Sequence, residues 1–187
     1  MNRLIDLETY SGLKFDIRYA RTDNFLGEQV YALAKAFLLK HVADDLYKVH
    51  EALRVHGFGL LIFDGYRPWS VTKHFWDNSS DHDRQFLADP EKGSSHNRGC
   101  AVDLSMYSLS TGEAVTMPSD FDEMNEKSYP DYPGGTEDQR RYRDLLQETM
   151  KAHGFKGIKN EWWHFNHHTH QNWPVMYLTF EEVLNQE

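Results

Sequence analysis

The 187 residues include a single cysteine, Cys100, and six prolines, and no apolar run approaches the roughly 18 residues of a membrane span. One cysteine rules out an intrachain disulfide framework and any Cys-rich zinc module, so a metal would have to be held by His and carboxylate. Cationic surface is scarce as well. The 20 Lys and Arg face 29 Asp and Glu for a net charge of −9, and no window is rich in basic residues, which excludes nucleic acid as an expected partner. Arg3, Asp6, Glu8, Lys14, Asp16 and Arg18 interrupt any apolar leader within the first twenty residues. The expectation is a soluble cytoplasmic chain with no membrane partner; a periplasmic one would have had its signal peptide removed. Repeats, low-complexity tracts and Pro/Ser linkers are also absent, so residues 1–187 are expected to form one domain. A chain of this length can bury about 70% of its unfolded surface without staples. The oligomeric state is left open by the sequence.

What is present is a set of periodic segments. Residues 13–19 alternate apolar and polar as a half-buried strand does, with Tyr19 on the apolar face. Val42, Leu46, Val49 and Leu53 recur at helical spacing over about 38–56, and Gly57 follows where a left-handed cap belongs. Gly59 to Phe63 reads as a buried strand, ended by Asp64-Gly65, and Pro68 suits the first turn of a helix carrying Val71 and Phe75. The polar stretch 77–95 reads as a surface excursion. Cys100 to Met106 is strand-like and turns at Ser110-Thr111-Gly112 into Ala114 to Met117. Thr136 to Gln139 has capping-box spacing before a helix ended by Gly154. Glu161 to Phe165 and Val175 to Phe180 read as strands joined by 166–172. Strands grouped in hairpins, not alternating with helices, predict α+β with a mainly antiparallel sheet and flanking helices.

The chemistry concentrates in Ser94-Ser95-His96-Asn97-Arg98-Gly99-Cys100-Ala101-Val102-Asp103 and Glu161-Trp162-Trp163-His164. His96, Asp103 and His164 are donors suited to Zn²⁺, and three protein ligands leave one tetrahedral position open, the mark of a catalytic site. An unpaired carboxylate on the apolar strand at Asp103 would be costly, and a cation removes that cost. Glu161 is placed to accept the proton of a water acidified by the metal. Residues three apart on a regular strand face opposite ways, so Glu161 and His164 share one metal only at a bulge or strand end; otherwise they are an edge Glu beside a core His. Arg67, at a strand-to-helix junction before Pro68, is either a surface cation or an oxyanion stabiliser. His167, His168 and His170 form a second cluster in a loop-like segment without a matching carboxylate motif.

The order Tyr19, Gly65-Tyr66-Arg67-Pro68, Ser94-x-His96 with Gly99, Ala101 and Asp103, Phe121-Asp122-Glu123-Met124 and Glu161-Trp162-Trp163-His164 resembles the VanX-type D-alanyl-D-alanine dipeptidases. The resemblance implies the hedgehog and D,D-peptidase fold, and zinc-dependent hydrolysis of D-Ala-D-Ala with one Zn²⁺ per chain. It implies His96, Asp103 and His164 as ligands, Glu161 as base and Arg67 as transition-state stabiliser. Tyr19, Ser94, Ser95 and Asp122 fall at or beside the family's substrate-contacting positions, Asp122 being the partner for the ammonium of a small dipeptide. Two departures are a short segment between the Arg67 helix and His96, and Asn125 with Tyr129-Pro130 in place of more acidic and His-containing residues. A D,D-carboxypeptidase or peptidoglycan endopeptidase with the same site, and a non-catalytic zinc-stabilised binding module, are the alternatives.

Overall fold

In the computed structural model, which describes residues 3–185, the strands β2 (Lys14–Phe15), β4 (Phe58–Asp64), β5 (Ala101–Ser108), β6 (Phe155–Ile158) and β7 (Glu161–His167) make a five-stranded sheet. Its order is β2-β4-β5-β7-β6. β2 runs parallel to β4, and every other neighbouring pair is antiparallel. A small second sheet pairs β1 (Leu4–Asp6) with β3 (Phe37–Leu39) antiparallel. The α+β class and the mainly antiparallel sheet stand.

Helices α1 (Lys40–Arg54) and α3 (Glu137–Ala152) pack against the sheet and against each other. α1 buries Val42, Ala43, Leu46, Val49 and Leu53, which return every three or four residues along one stripe. α3 opens with a complete capping box, Thr136 and Gln139 each satisfying the other's backbone N–H, so two of its orphan donors are paired. Helix α2 (Trp69–Asn78) follows Pro68, and α4 (Phe180–Leu184) closes the described chain with a second capping box at Thr179.

Four readings of the sequence need correction. The strand expected over 13–19 lasts only through Phe15; the chain then turns through a 3₁₀ segment at Arg18–Ala20, which carries the Tyr19 side chain into the interior. Phe37–Leu39 is a strand and not the first turn of α1. Ala114 to Met117 makes a single bridge to Tyr107, not a strand. Val175 to Phe180 is not a strand either: Tyr66 Oη donates to the Leu178 carbonyl at 2.8 Å, and Met176 N–H donates to the Asn97 carbonyl at 2.8 Å. A side chain and a loop thus satisfy the backbone that a neighbouring strand would otherwise have to pair.

Candidate metal centre and substrate pocket

Two irregularities in the sheet build the site. β4 and β5 slip register between Ile62 and Asp64, setting Asp64 opposite Asp103. β6 and β7 slip between Gly157 and Ile158, so Glu161 begins β7 beside a bulge. Glu161 and His164 can therefore approach one another despite their spacing, with Glu161 Oε2 3.8 Å from His164 Nδ1. Asp103 and His164 are directly opposed across β5 and β7.

His96 arrives from a different element, a 3₁₀ turn at His96–Arg98 that Gly99 terminates with φ 64°. A Cβ at Gly99 would lie 2.7 Å from Leu4 Cδ2, so both the left-handed backbone and the tight packing require glycine. The turn brings His96 Nε2 to 3.1 Å from His164 Nδ1 and 3.3 Å from Asp103 Oδ1, and His164 Nδ1 lies 3.0 Å from the same oxygen. Three donors bound at about 2.0–2.2 Å around a tetrahedral ion would stand roughly 3.3 Å apart. The donor set therefore fits zinc in both chemistry and spacing. Two ring nitrogens facing one another also call for a proton or cation between them. Among the described residues this is the one group of His, Cys, Asp and Glu arranged to hold a metal ion.

Charge around the triad is strongly perturbed. Burial would raise the Asp103 carboxyl, but the facing His96 and His164 rings override it and hold it far below the usual carboxylate range. Burial opposes the charged form of His164, and the hydrogen bond and charge of Asp103 nevertheless raise its pKa. Glu161, buried and close to Asp103, is pushed up to about 7 by desolvation despite the opposing pull of His164 and Arg67.

Arg67 is not a surface cation: it is 7% exposed. Its Nε and Nη2 each lie 2.9 Å from Asp64 Oδ2, and Nη2 is 3.5 Å from Asp103 Oδ2. Its guanidinium also sits 4.9 Å from the Phe75 ring centre. Asp64 was not among the residues singled out from the sequence. It is wholly buried and accepts from Tyr31 Oη, Gly65 N–H and Arg67. Its signal was present, an acid at a buried strand end three residues before an Arg, but it reads equally as turn punctuation.

Asp122 has φ 61°, the one left-handed non-glycine residue among those described, a backbone cost expected where a side chain must be aimed. Its half-buried carboxylate accepts from Tyr19 Oη at 2.8 Å, the one side chain that hydrogen-bonds it among the described residues. Desolvation drives its pKa well above the carboxylate norm. Ser94 Oγ accepts from His96 N–H at 3.2 Å, and Ser95 borders the same space. All nine residues singled out from the sequence, Tyr19, Arg67, Ser94, Ser95, His96, Asp103, Asp122, Glu161 and His164, line one pocket of about 330 Å³. Phe86 and Leu87, from the excursion between α2 and His96, border it too.

Known proteins were compared with the chain. It is 33% identical over 174 residues to the D-alanyl-D-alanine dipeptidase of Escherichia coli (strain K12), covering 92% of this chain and 89% of that one. It is 34% identical over 184 residues to the D-alanyl-D-alanine dipeptidase of Enterococcus faecium, covering 84% of this chain and 87% of that one. Among solved structures, a vancomycin-resistance D,D-dipeptidase in complex with a D-Ala-D-Ala phosphinate analogue aligns over 83% of this chain and 61% of its own, with 20% identity and a TM-score of 0.48. The D-ala-D-ala dipeptidase model of peptidase family M15 matches residues 2–183, and the chain belongs to that family.

Proposed function

We propose that residues 1–187 act as a single zinc-dependent D-alanyl-D-alanine dipeptidase domain in the cytoplasm, with one ion held by His96, Asp103 and His164. The observation that carries this reading is the pairing, in one small pocket, of that donor triad with the half-buried Asp122 carboxylate. A half-buried acid offered only a tyrosine hydroxyl is matched by the free ammonium of a short substrate, whose amino terminus lies close to the scissile bond. Zinc, when bound, supplies the Lewis acidity that polarises the scissile carbonyl.

The protein's own groups account for the remaining steps. Glu161, buried beside the donor triad, takes a proton from the attacking water and returns it to the departing amine, an action worth about 10²–10⁴-fold. Arg67 carries a permanent charge, held in place by Asp64, toward the oxygen on which negative charge develops, and one such donor is worth about 10²–10³-fold. Tyr19 and Asp122 hold the amino terminus. Ser94 and Ser95 border the remainder of the substrate. Glu161 also weighs against a zinc-stabilised binding module, because a structural ion needs no base.

A release assay tests the reading and separates it from the D,D-carboxypeptidase alternative. Free D-Ala-D-Ala should be hydrolysed, and N-acetyl-D-Ala-D-Ala and a muropeptide pentapeptide should be poor substrates, since acylation removes the charge and leaves Asp122 unpaired. Asp122→Ala should narrow the gap by slowing the free dipeptide most. Equal rates on free and blocked substrates would favour the carboxypeptidase. No hydrolysis of either by zinc-loaded protein would overturn both.

A further inference from the structure

The two histidines of the donor triad are oriented by different means. His96 presents Nε2 to the triad, and its other nitrogen, Nδ1, lies 2.7 Å from the Gly65 carbonyl. That acceptor is backbone, present whatever residue stands there. His164 presents the opposite nitrogen, Nδ1, and its Nε2 lies 3.0 Å from Oδ1 of Asn166. Its outer acceptor is a side chain, which sequence can add or remove.

Asn166 follows His164 by two residues on β7 and so projects from the same face of the sheet. It sits opposite Ala101 on β5, whose small, fully buried side chain leaves space on that face. It also lines the pocket. If Nδ1 of His164 is to offer its lone pair to an ion, Nε2 must carry the proton, and only the amide oxygen, the atom that faces it, can accept that proton.

Resting on the zinc reading above, we infer that Asn166 is a positioning residue for the metal: by accepting from His164 Nε2–H it fixes the tautomer and ring plane that turn Nδ1 toward His96 and Asp103. Such outer partners change metal affinity by about 10–100-fold. The carboxamide meets the ring at the nitrogen turned away from the triad, so its effect on the metal passes through the imidazole.

The test measures zinc affinity and not turnover alone. Wild type, Asn166→Leu and Asn166→Asp are stripped with chelator and titrated with zinc against a chromophoric competitor, and the urea midpoints of the metal-free forms are recorded alongside. Asn166→Leu, which keeps the heavy-atom branching and removes the acceptor, should bind zinc about 10–100-fold more weakly with an unchanged metal-free midpoint. Asn166→Asp, which restores a stronger acceptor, should bind at least as tightly as wild type. Wild-type affinity in Asn166→Leu overturns the inference. So does a loss that Asn166→Asp fails to recover, or one that tracks a lowered metal-free midpoint, which marks a structural role. Wild-type protein that takes up no zinc would instead defeat the proposed function, and this inference with it.

Discussion

β7 carries two histidines, His164 and His167, three residues apart and directed to opposite faces of the sheet, and their surroundings differ in kind. On one face His164 meets His96 and Asp103, donors that compete for the same space. On the other, His167 Nδ1 lies 2.8 Å from Thr169 Oγ1 and its Nε2 3.1 Å from Asp45 Oδ2, while His41 Nε2 reaches the same threonine at 3.0 Å. Each His167 nitrogen thus already has a complementary protein partner, and Asp45 is also within 2.6 Å of Lys48. In the first cluster the ligand atoms of three residues converge on one another at the wall of a pocket. The second is complete, and it fastens the end of β7 to α1. Histidine density does not distinguish them, for the segment 167–170 holds three histidines and the triad only two. What sets the triad apart is the convergence of ligand atoms from three residues on one point, not an abundance of histidines.

The largest effect that could break this contrast is catalytic. Glu161→Gln should retain zinc and lose about 10²–10⁴-fold in kcat, whereas His168→Gln, on the exposed side of the second cluster, should leave both unchanged. Elemental analysis and steady-state rates on D-Ala-D-Ala decide it. Near-normal turnover in Glu161→Gln would return Glu161 to an edge residue beside a core histidine.

The contrast also explains how much the sequence disclosed. α1 and α3 were legible because stripe, cap and stop agree locally, and six of the nine pocket residues because their chemistry is concentrated in two short motifs; Arg67 stood out by its strand-to-helix junction, and Tyr19 and Asp122 only through the family resemblance. The small sheet was not: Phe37-Leu38-Leu39 runs straight into the apolar stripe of α1, and its partner β1 is three residues long. β6 was hidden by its four-residue length and internal Gly157. Asp64 and Asn166 escaped for another reason. They act on other side chains, through contacts to Arg67 and His164 that only the register slip and the strand face create. The saturation of His167 by Asp45 joins residues 122 apart and has no local signature either.

A second, smaller effect separates holding metal from holding the fold. His167→Leu leaves Thr169 and Asp45 without the imidazole, but His41 and Lys48 remain as partners. The loss of stability should therefore fall toward the lower end of about 1–3 kcal/mol. Urea unfolding measures it, with zinc stoichiometry measured in parallel. Loss of zinc from His167→Leu at unchanged stability would erase the distinction between the two clusters.

The smallest effect is a difference in the sign of pH dependence. In the second cluster burial lowers the pKa of His41 and of His167, overriding the nearby Asp45. The unfolded chain, with histidine near 6.5, then binds protons before the folded one does, so this stability is present above about 6.5 and is lost as pH falls through the folded values. In the metal-free site Glu161 is shifted the other way, from 4.5 to about 7. Its contribution is present below 4.5 and lost as pH rises through 7, because the folded state then holds a buried unpaired carboxylate. Urea midpoints of metal-free protein between pH 5 and 8, spanning about 6.5 and 7, should show the cost of His167→Leu shrinking toward acid. Over the same range Glu161→Gln should stabilise most at the alkaline end. Saturating zinc should abolish the second trend and leave the first, since the ion places a cation beside Glu161. Parallel pH curves for wild type and both variants would show that the two faces of β7 are electrostatically alike.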